Sequence, residues 1–205
     1  MRKLLYLLLI VAVGYGLYWY LFKRGGSGPS GPKMAPLTLK KHSEQFNAGV
    51  DSALNAYLGA RDAFVQGDTV MVKRRIQELI SRLDSLPVDE LKKDTVVILQ
   101  TVKANIADVQ ANAASLLQQT DITEMRRDFG MVTEMLFPSF FKAINYEGGK
   151  IYLIRYEHAF GENQGANWLS DTTLVINPYM GVNHPQYGDK KLHEGEVKDS
   201  IVSPR

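Results

Sequence analysis

The sequence predicts a mainly α-helical protein: an N-terminal transmembrane helix, then an antiparallel four-helix bundle, with a C-terminal strand and loop arm packed on the bundle. Three observations predict it. Residues 4–22 are apolar or aromatic and uncharged. Between Ser43 and Leu136, apolar residues recur at three- and four-residue spacing in four segments that each open on a capping residue or a turn. After Gly148-Gly149 the period changes to the alternation of a strand, followed by punctuation with Gly, Asn and Pro. The 205 residues accordingly divide into a membrane anchor (1–24), a flexible linker (25–36), the bundle (37–147) and the extended arm (148–205).

The anchor is the plainest feature. As a helix rising about 1.5 Å per residue, the run of about 19 residues comes close to the ~30 Å of a bilayer's hydrocarbon core. Tyr15, Tyr18, Trp19, Tyr20 and Phe22 crowd its C-terminal end, the composition of an interfacial aromatic belt, and Lys23 and Arg24 close it. The competing reading is a signal peptide cleaved near Ala12-Val13-Gly14. Cleavage there would leave an aromatic-rich stub exposed, an aggregation hazard, so the uncleaved anchor is preferred. Basic residues flank both ends, and the charge-bias rule does not orient the helix. The stretch "GGSGPSGPKMAP" then mixes Gly, Ser and Pro without periodicity and reads as a spacer from the bilayer.

The four helices follow in order. Ser43 caps the first, which carries Phe46, Val50, Leu54, Tyr57 and Phe64 and ends at Gly67. Asp68 caps the second, with Val72, Ile76, Leu79, Ile80 and Leu83 on one face, stopping before Pro87. A third spans residues 89–119 on Leu91, Ile98, Leu99, Val102, Ile106, Val109, Ala113 and Leu116. The fourth opens with Asp121 and Glu124 at capping-box spacing and runs through Phe129, Val132, Met135 and Leu136 until Pro138 kinks or ends it. Short connections make neighbours antiparallel. Met71, Met125, Met131 and Met135, interleaved with Phe and Val, read as core and not as a metal-binding methionine box. Arg126 and Arg127 beside Asp128 read as a solvated face, and His42, just ahead of a helix, as exposed. In the arm, "KIYLIRYEHAF" reads as one strand, and the remainder, with Trp168, Tyr179 and Tyr187, as an irregular wrap on the bundle.

Composition excludes some functions. A net charge of +2 supplies no broad basic field, which argues against nucleic acid as a partner. The chain has no cysteine, so neither a disulfide framework nor a thiolate metal site can form. There is no G-x-S-x-G elbow, P-loop or G-x-G-x-x-G. Ser170-Asp171 with His158 or His193 would be the nearest thing to a hydrolytic set, but Ser170 suits a turn former or cap better. No enzyme is expected.

Three stretches, "LNAYLGARDAFVQGD", "TDITEMRRDFGMVTEML" and the tail "GANWLSD…INPY…YGDKKLHEGEVKD", resemble a bacterial periplasmic domain family of unknown function. That family occurs alone or fused to adaptor subunits of copper and silver efflux pumps. The resemblance covers most of residues 43–199. It implies a periplasmic location and a helical bundle with an appended C-terminal segment. Together with the anchor over residues 4–22, which would contact lipid, the expectation is a single-pass inner-membrane protein with its soluble domain in the periplasm and a protein partner in a membrane complex. Family tails carry a Cys-Pro-Met-Ala stretch ahead of the Gly-Ala-x-Trp-Leu-Ser run and a Lys-Met-Leu-x-Cys-Gly stretch near the end, soft sulfur donors suited to Cu(I). Aligned on Gly165, the first cysteine position falls on Glu157, the proline on His158 and the methionine on Ala159. In the second stretch the methionine falls on Lys191 and the cysteine on Glu194, beside His193. His184 lies in an insertion between Asn177-Pro178-Tyr179 and Tyr187-Gly188. Every sulfur is replaced.

Two readings of Glu157, His158, His184, His193 and Glu194 follow. As a site, three imidazoles and two carboxylates suit a divalent ion such as Zn²⁺. As ordinary polar positions, they pair with Arg155, Lys190 and Lys191 at little energetic consequence. Neighbours on an extended strand point to opposite faces, so Glu157 and His158 do not readily share one ion. No His-x₃-His or HExxH spacing pins a site, and the second reading is favoured, with no resident cofactor expected.

Overall fold

A computed structural model describes residues 40–202. The predicted anchor and the predicted linker, residues 1–36, lie outside the described residues, and no helix among those described is long and apolar enough to cross a membrane. The protein is mainly helical with a small three-stranded sheet. Its long helices are α1 (Glu44–Gln66), α2 (Thr69–Asp84), α3 (Val96–Gln118) and α4 (Ile122–Glu134).

Each start is built as the sequence implies. Ser43 Oγ accepts from Phe46 N–H (3.1 Å), Asp68 from Met71 N–H (2.8 Å), and Asp121 Oδ1 from Thr123 and Glu124 N–H (2.8 and 3.1 Å). Only half of the expected capping box forms, because the Glu124 carboxylate turns to Arg127 at 3.4 Å. Gly67 closes α1 at φ +69, a left-handed geometry that favours glycine.

The third helix is shorter than expected. Residues Val88–Lys93 form a separate 3₁₀ turn, and α3 begins only after Thr95, whose extended backbone and hydroxyl cap Ile98 N–H at 3.1 Å. A threonine that offers its own hydroxyl to the backbone competes with helix continuation. At the end of α4, Phe137 leaves helical geometry (φ −125, ψ 127), as the residue before Pro138 must be biased to do.

Helix α1 packs on α2, α2 on α3 and α3 on α4. Phe129 brings α4 to α1, stacked on Tyr57 at 4.7 Å and tilted against Phe64 at 4.9 Å. The His42 side chain is buried, against expectation. It packs on the Phe46 ring at 4.5 Å, hydrogen bonds the Ile144 carbonyl through Nε2, and sets Nδ1 3.6 Å from Glu90. Among the four methionines read as core, Met125 is buried and Met71 and Met135 are partly so, but Met131 is 48% exposed.

The arm is more regular than one strand and a wrap. Strands β1 (Ile151–Tyr156), β2 (Ala166–Ser170) and β3 (Glu196–Ile201) form an antiparallel sheet in the order β2-β1-β3. β2 lies against α4 and α1. β3 is a charged, mostly exposed edge, a composition that discourages pairing with other chains.

A buried hydroxyl chain joins sheet to bundle. Leu169 N–H donates to Tyr57 Oη (3.1 Å), and Thr133 Oγ1 donates to the Phe129 carbonyl (3.0 Å). Because the threonine proton is thereby used, Tyr57 O–H donates to Thr133 Oγ1 across 2.6 Å. Burial pushes the Tyr57 phenol well above its ordinary pKa, so it stays a neutral donor. Tyr57→Phe keeps the ring and strands the Leu169 N–H, and the expected loss is about 1–3 kcal/mol in urea unfolding. A loss near zero would show that the link is not made.

Candidate functional site

The arm meets α4 along two shallow hollows. The larger, of about 490 Å³, lies between the first half of α4, the loop after β1 and the loop around His184, and its polar lining includes Thr123, Arg127, His158, Glu162, His184 and Gln186. The smaller, of about 250 Å³, runs further along α4 past Gly130, Met131 and Glu134 to Asn167. Arg127 and Phe160 border both, and the guanidinium carbon sits 4.4 Å over the Phe160 ring, which holds this side chain on the rim.

Of the five residues singled out in the sequence, His158 and His184 line the same cleft. The other three are engaged elsewhere. Glu157 pairs with Arg155 (2.9 Å) and approaches Lys198 (3.9 Å). Glu194 takes a 2.9 Å bond from Lys191, which is the chief cause holding its carboxyl below the usual glutamate range. His193 donates from Nδ1 to the Val175 carbonyl at 2.8 Å and turns Nε2 toward Asp189 at 3.8 Å. Among the described residues no three His, Asp or Glu side chains gather in a group able to hold a metal ion.

The tautomer of His184 adds to this. Its Nδ1 accepts the Gln186 N–H at 3.1 Å, so the neutral ring carries its proton on Nε2 and presents a donor. Metal ligation through Nε2 would need that pattern reversed. Burial, and then the nearby positive charge of Arg126, pull the His184 pKa down and favour the neutral ring.

Arg126 itself corrects the sequence reading of a solvated face. It is 1% exposed, and it donates from Nε to the Pro178 carbonyl (2.9 Å) and from Nη2 to the carbonyls of Phe64 (3.1 Å) and Val182 (3.3 Å). Phe64 lies in the last turn of α1, which holds no basic residue of its own, so Arg126 supplies the cation that such a helix end favours. Val182 N–H completes the seal by donating to Val65 O (2.8 Å). Burial lowers the Arg126 pKa to about 10, and the group remains charged at neutral pH. The stripe that buries Met125, Phe129, Val132 and Thr133 carries Arg126 inward as well, and that periodicity was the available signal.

Ser170 is buried. Its Oγ accepts from Arg61 Nη1 and from Thr172 N–H, both at 3.2 Å, a turn and packing role with no histidine among its partners. Compared with protein-family models, curated proteins and solved structures, the chain matches none significantly.

Proposed function

We propose that this chain is a membrane-anchored periplasmic binding module: residues 1–24 hold it in the inner membrane, residues 25–36 space it from the bilayer, and an antiparallel four-helix bundle with its arm presents a non-catalytic surface to a partner in a membrane complex. The observation that carries the reading is the open cleft between arm and α4, whose wall combines Arg127, His158 and His184. The commitment of Ser170 to Arg61 and Thr172 supports binding over acyl-transfer chemistry. The family resemblance supports the location and a past in metal handling, and the loss of its sulfur ligands argues against Cu(I) in this chain.

Two measurements test it. Protease added to spheroplasts is expected to digest the soluble part while a membrane-embedded fragment survives; protection until lysis would overturn the periplasmic placement. Zinc titration of the full chain is expected to give only weak binding that His158→Ala and His193→Ala together barely change. Stoichiometric zinc lost in that double variant would establish instead the divalent-metal reading through Glu157, His158, His184, His193 and Glu194.

A further inference from the structure

We infer that the cleft between α4 and the arm binds a phosphate group, a small oxyanion either free or borne by a lipid headgroup. The inference rests on the binding-module reading and adds the chemistry of its ligand. A volume of about 490 Å³ suits a small ligand or a headgroup. Five side chains able to donate line it: Thr123, Arg127, His158, His184 and Gln186. Arg127 approaches Glu124 through Nε at 3.4 Å, and a guanidinium so placed can offer its terminal amino groups as a fork to an oxyanion. The Phe160 face fixes the guanidinium without neutralising it. His184, with Nδ1 held by Gln186 N–H, turns a fixed N–H donor outward without requiring a charge. Behind this wall Arg126 is bound by three carbonyls, with the Asp121 carboxylate acting on its charge through space and not through a hydrogen bond.

The opposing groups are few. Glu162 is the one carboxylate in the lining, and it is exposed, where its repulsion is screened. Glu124 is turned toward Arg127, and Asp121 caps the N–H groups of Thr123 and Glu124. The helix start itself is therefore already satisfied, and the side chains carry the site. Arg127 on the rim and Arg126 behind it disfavour a metal cation.

Calorimetric titration of the full chain in maltoside micelles, which contain no phosphate, tests the inference with inorganic phosphate as probe. One phosphate per chain is expected, weakened about tenfold or more by Arg127→Gln and by the His158→Asn, His184→Asn pair, because each removes a bond to a charged ligand. Lys190→Gln, on the arm but outside the cleft lining, is expected to leave binding unchanged. Matched circular dichroism and melting curves identify folded variants, and Arg127→Lys is expected to bind between wild type and Arg127→Gln. A soluble short-chain phosphatidylglycerol that displaces phosphate would assign the headgroup as the source; failure to displace it would assign free phosphate. No binding, or binding that all the cleft variants retain, would overturn the inference. That outcome would leave the periplasmic module standing, since spheroplast proteolysis reads it separately.

Discussion

Arg126→Ala is expected to destabilise the protein by about 3–5 kcal/mol, from emptying a large buried site and leaving carbonyls without a donor. The reason lies in what the guanidinium holds together. It joins the last turn of α1 through Phe64 O to two points of the arm, Pro178 O and Val182 O, at distances from 2.9 to 3.3 Å. Truncation leaves a void in a closely packed interior and removes a hydrogen-bond partner from all three carbonyls. Phe64 O keeps the Gly67 N–H at 3.2 Å, so the arm carbonyls carry more of the loss. Arg126→Lys is expected to fall between Ala and wild type, because an ammonium keeps the charge at the helix end without the planar fork that reaches three acceptors. Urea unfolding followed by far-ultraviolet circular dichroism measures both variants. A cost below about 1 kcal/mol for Ala would mean the arm is not clamped in this way.

The same arginine shows how far the sequence could be read. Helices α1, α2 and α4 were legible because their buried residues keep helical spacing and their starts carry Ser43, Asp68 and Asp121, side chains that bond their own backbone. The break before α3 has no signal in the apolar spacing, because Leu91 and Ile98 both suit a continuous stripe, while Thr95 acts through a single hydroxyl. The arm was legible only in part. β1 has the apolar and aromatic content of a buried strand, but β2 is five residues long and β3 alternates few apolar residues at all, so each is defined by the strand it pairs with. On a helix face, position outweighs residue type. Arg126 and Thr133 share the inward stripe with Phe129, and His42 is covered by Phe46 and Ile144.

For the candidate site, the sequence brought forward His158 and His184, which do line one cleft, together with three residues that do not. What joins the two histidines is the turn after β1 facing the loop after Pro178, a tertiary contact with no local signature. Arg127 and Phe160 complete the wall from two different elements, and their 4.4 Å stacking is equally invisible to spacing rules. Cationic character also arises from burial: Arg126 contributes charge to this region because the fold draws it inside, where the composition shows only one arginine among several.

Trp168→Ala is expected to cost about 3–5 kcal/mol, the range for emptying a fully buried aromatic site. Trp168 is 0% exposed, stands opposite Ile154 of β1 in the sheet register, and meets the Tyr179 ring edge-on at 5.9 Å. Gly195 lies so close beneath the indole that an added Cβ would come within 2.6 Å of it, and its φ of +154 suits glycine. The indole therefore packs the sheet onto the segment holding Tyr179, whose hydroxyl donates to the Asn167 carbonyl at 2.5 Å. Yet Trp168 Nε1 is buried with no hydrogen-bond partner among the described residues. An unpaired buried donor costs about 1–3 kcal/mol, so the wild-type residue combines a large packing gain with a polar penalty. Trp168→Phe separates the two: it shrinks the ring but removes the stranded donor, and its expected cost is below about 1.5 kcal/mol. Unfolding both variants in urea measures the difference. A Phe variant as unstable as Ala would show that the indole N–H is engaged after all, and an Ala variant close to wild type would show that the sheet does not depend on this side chain.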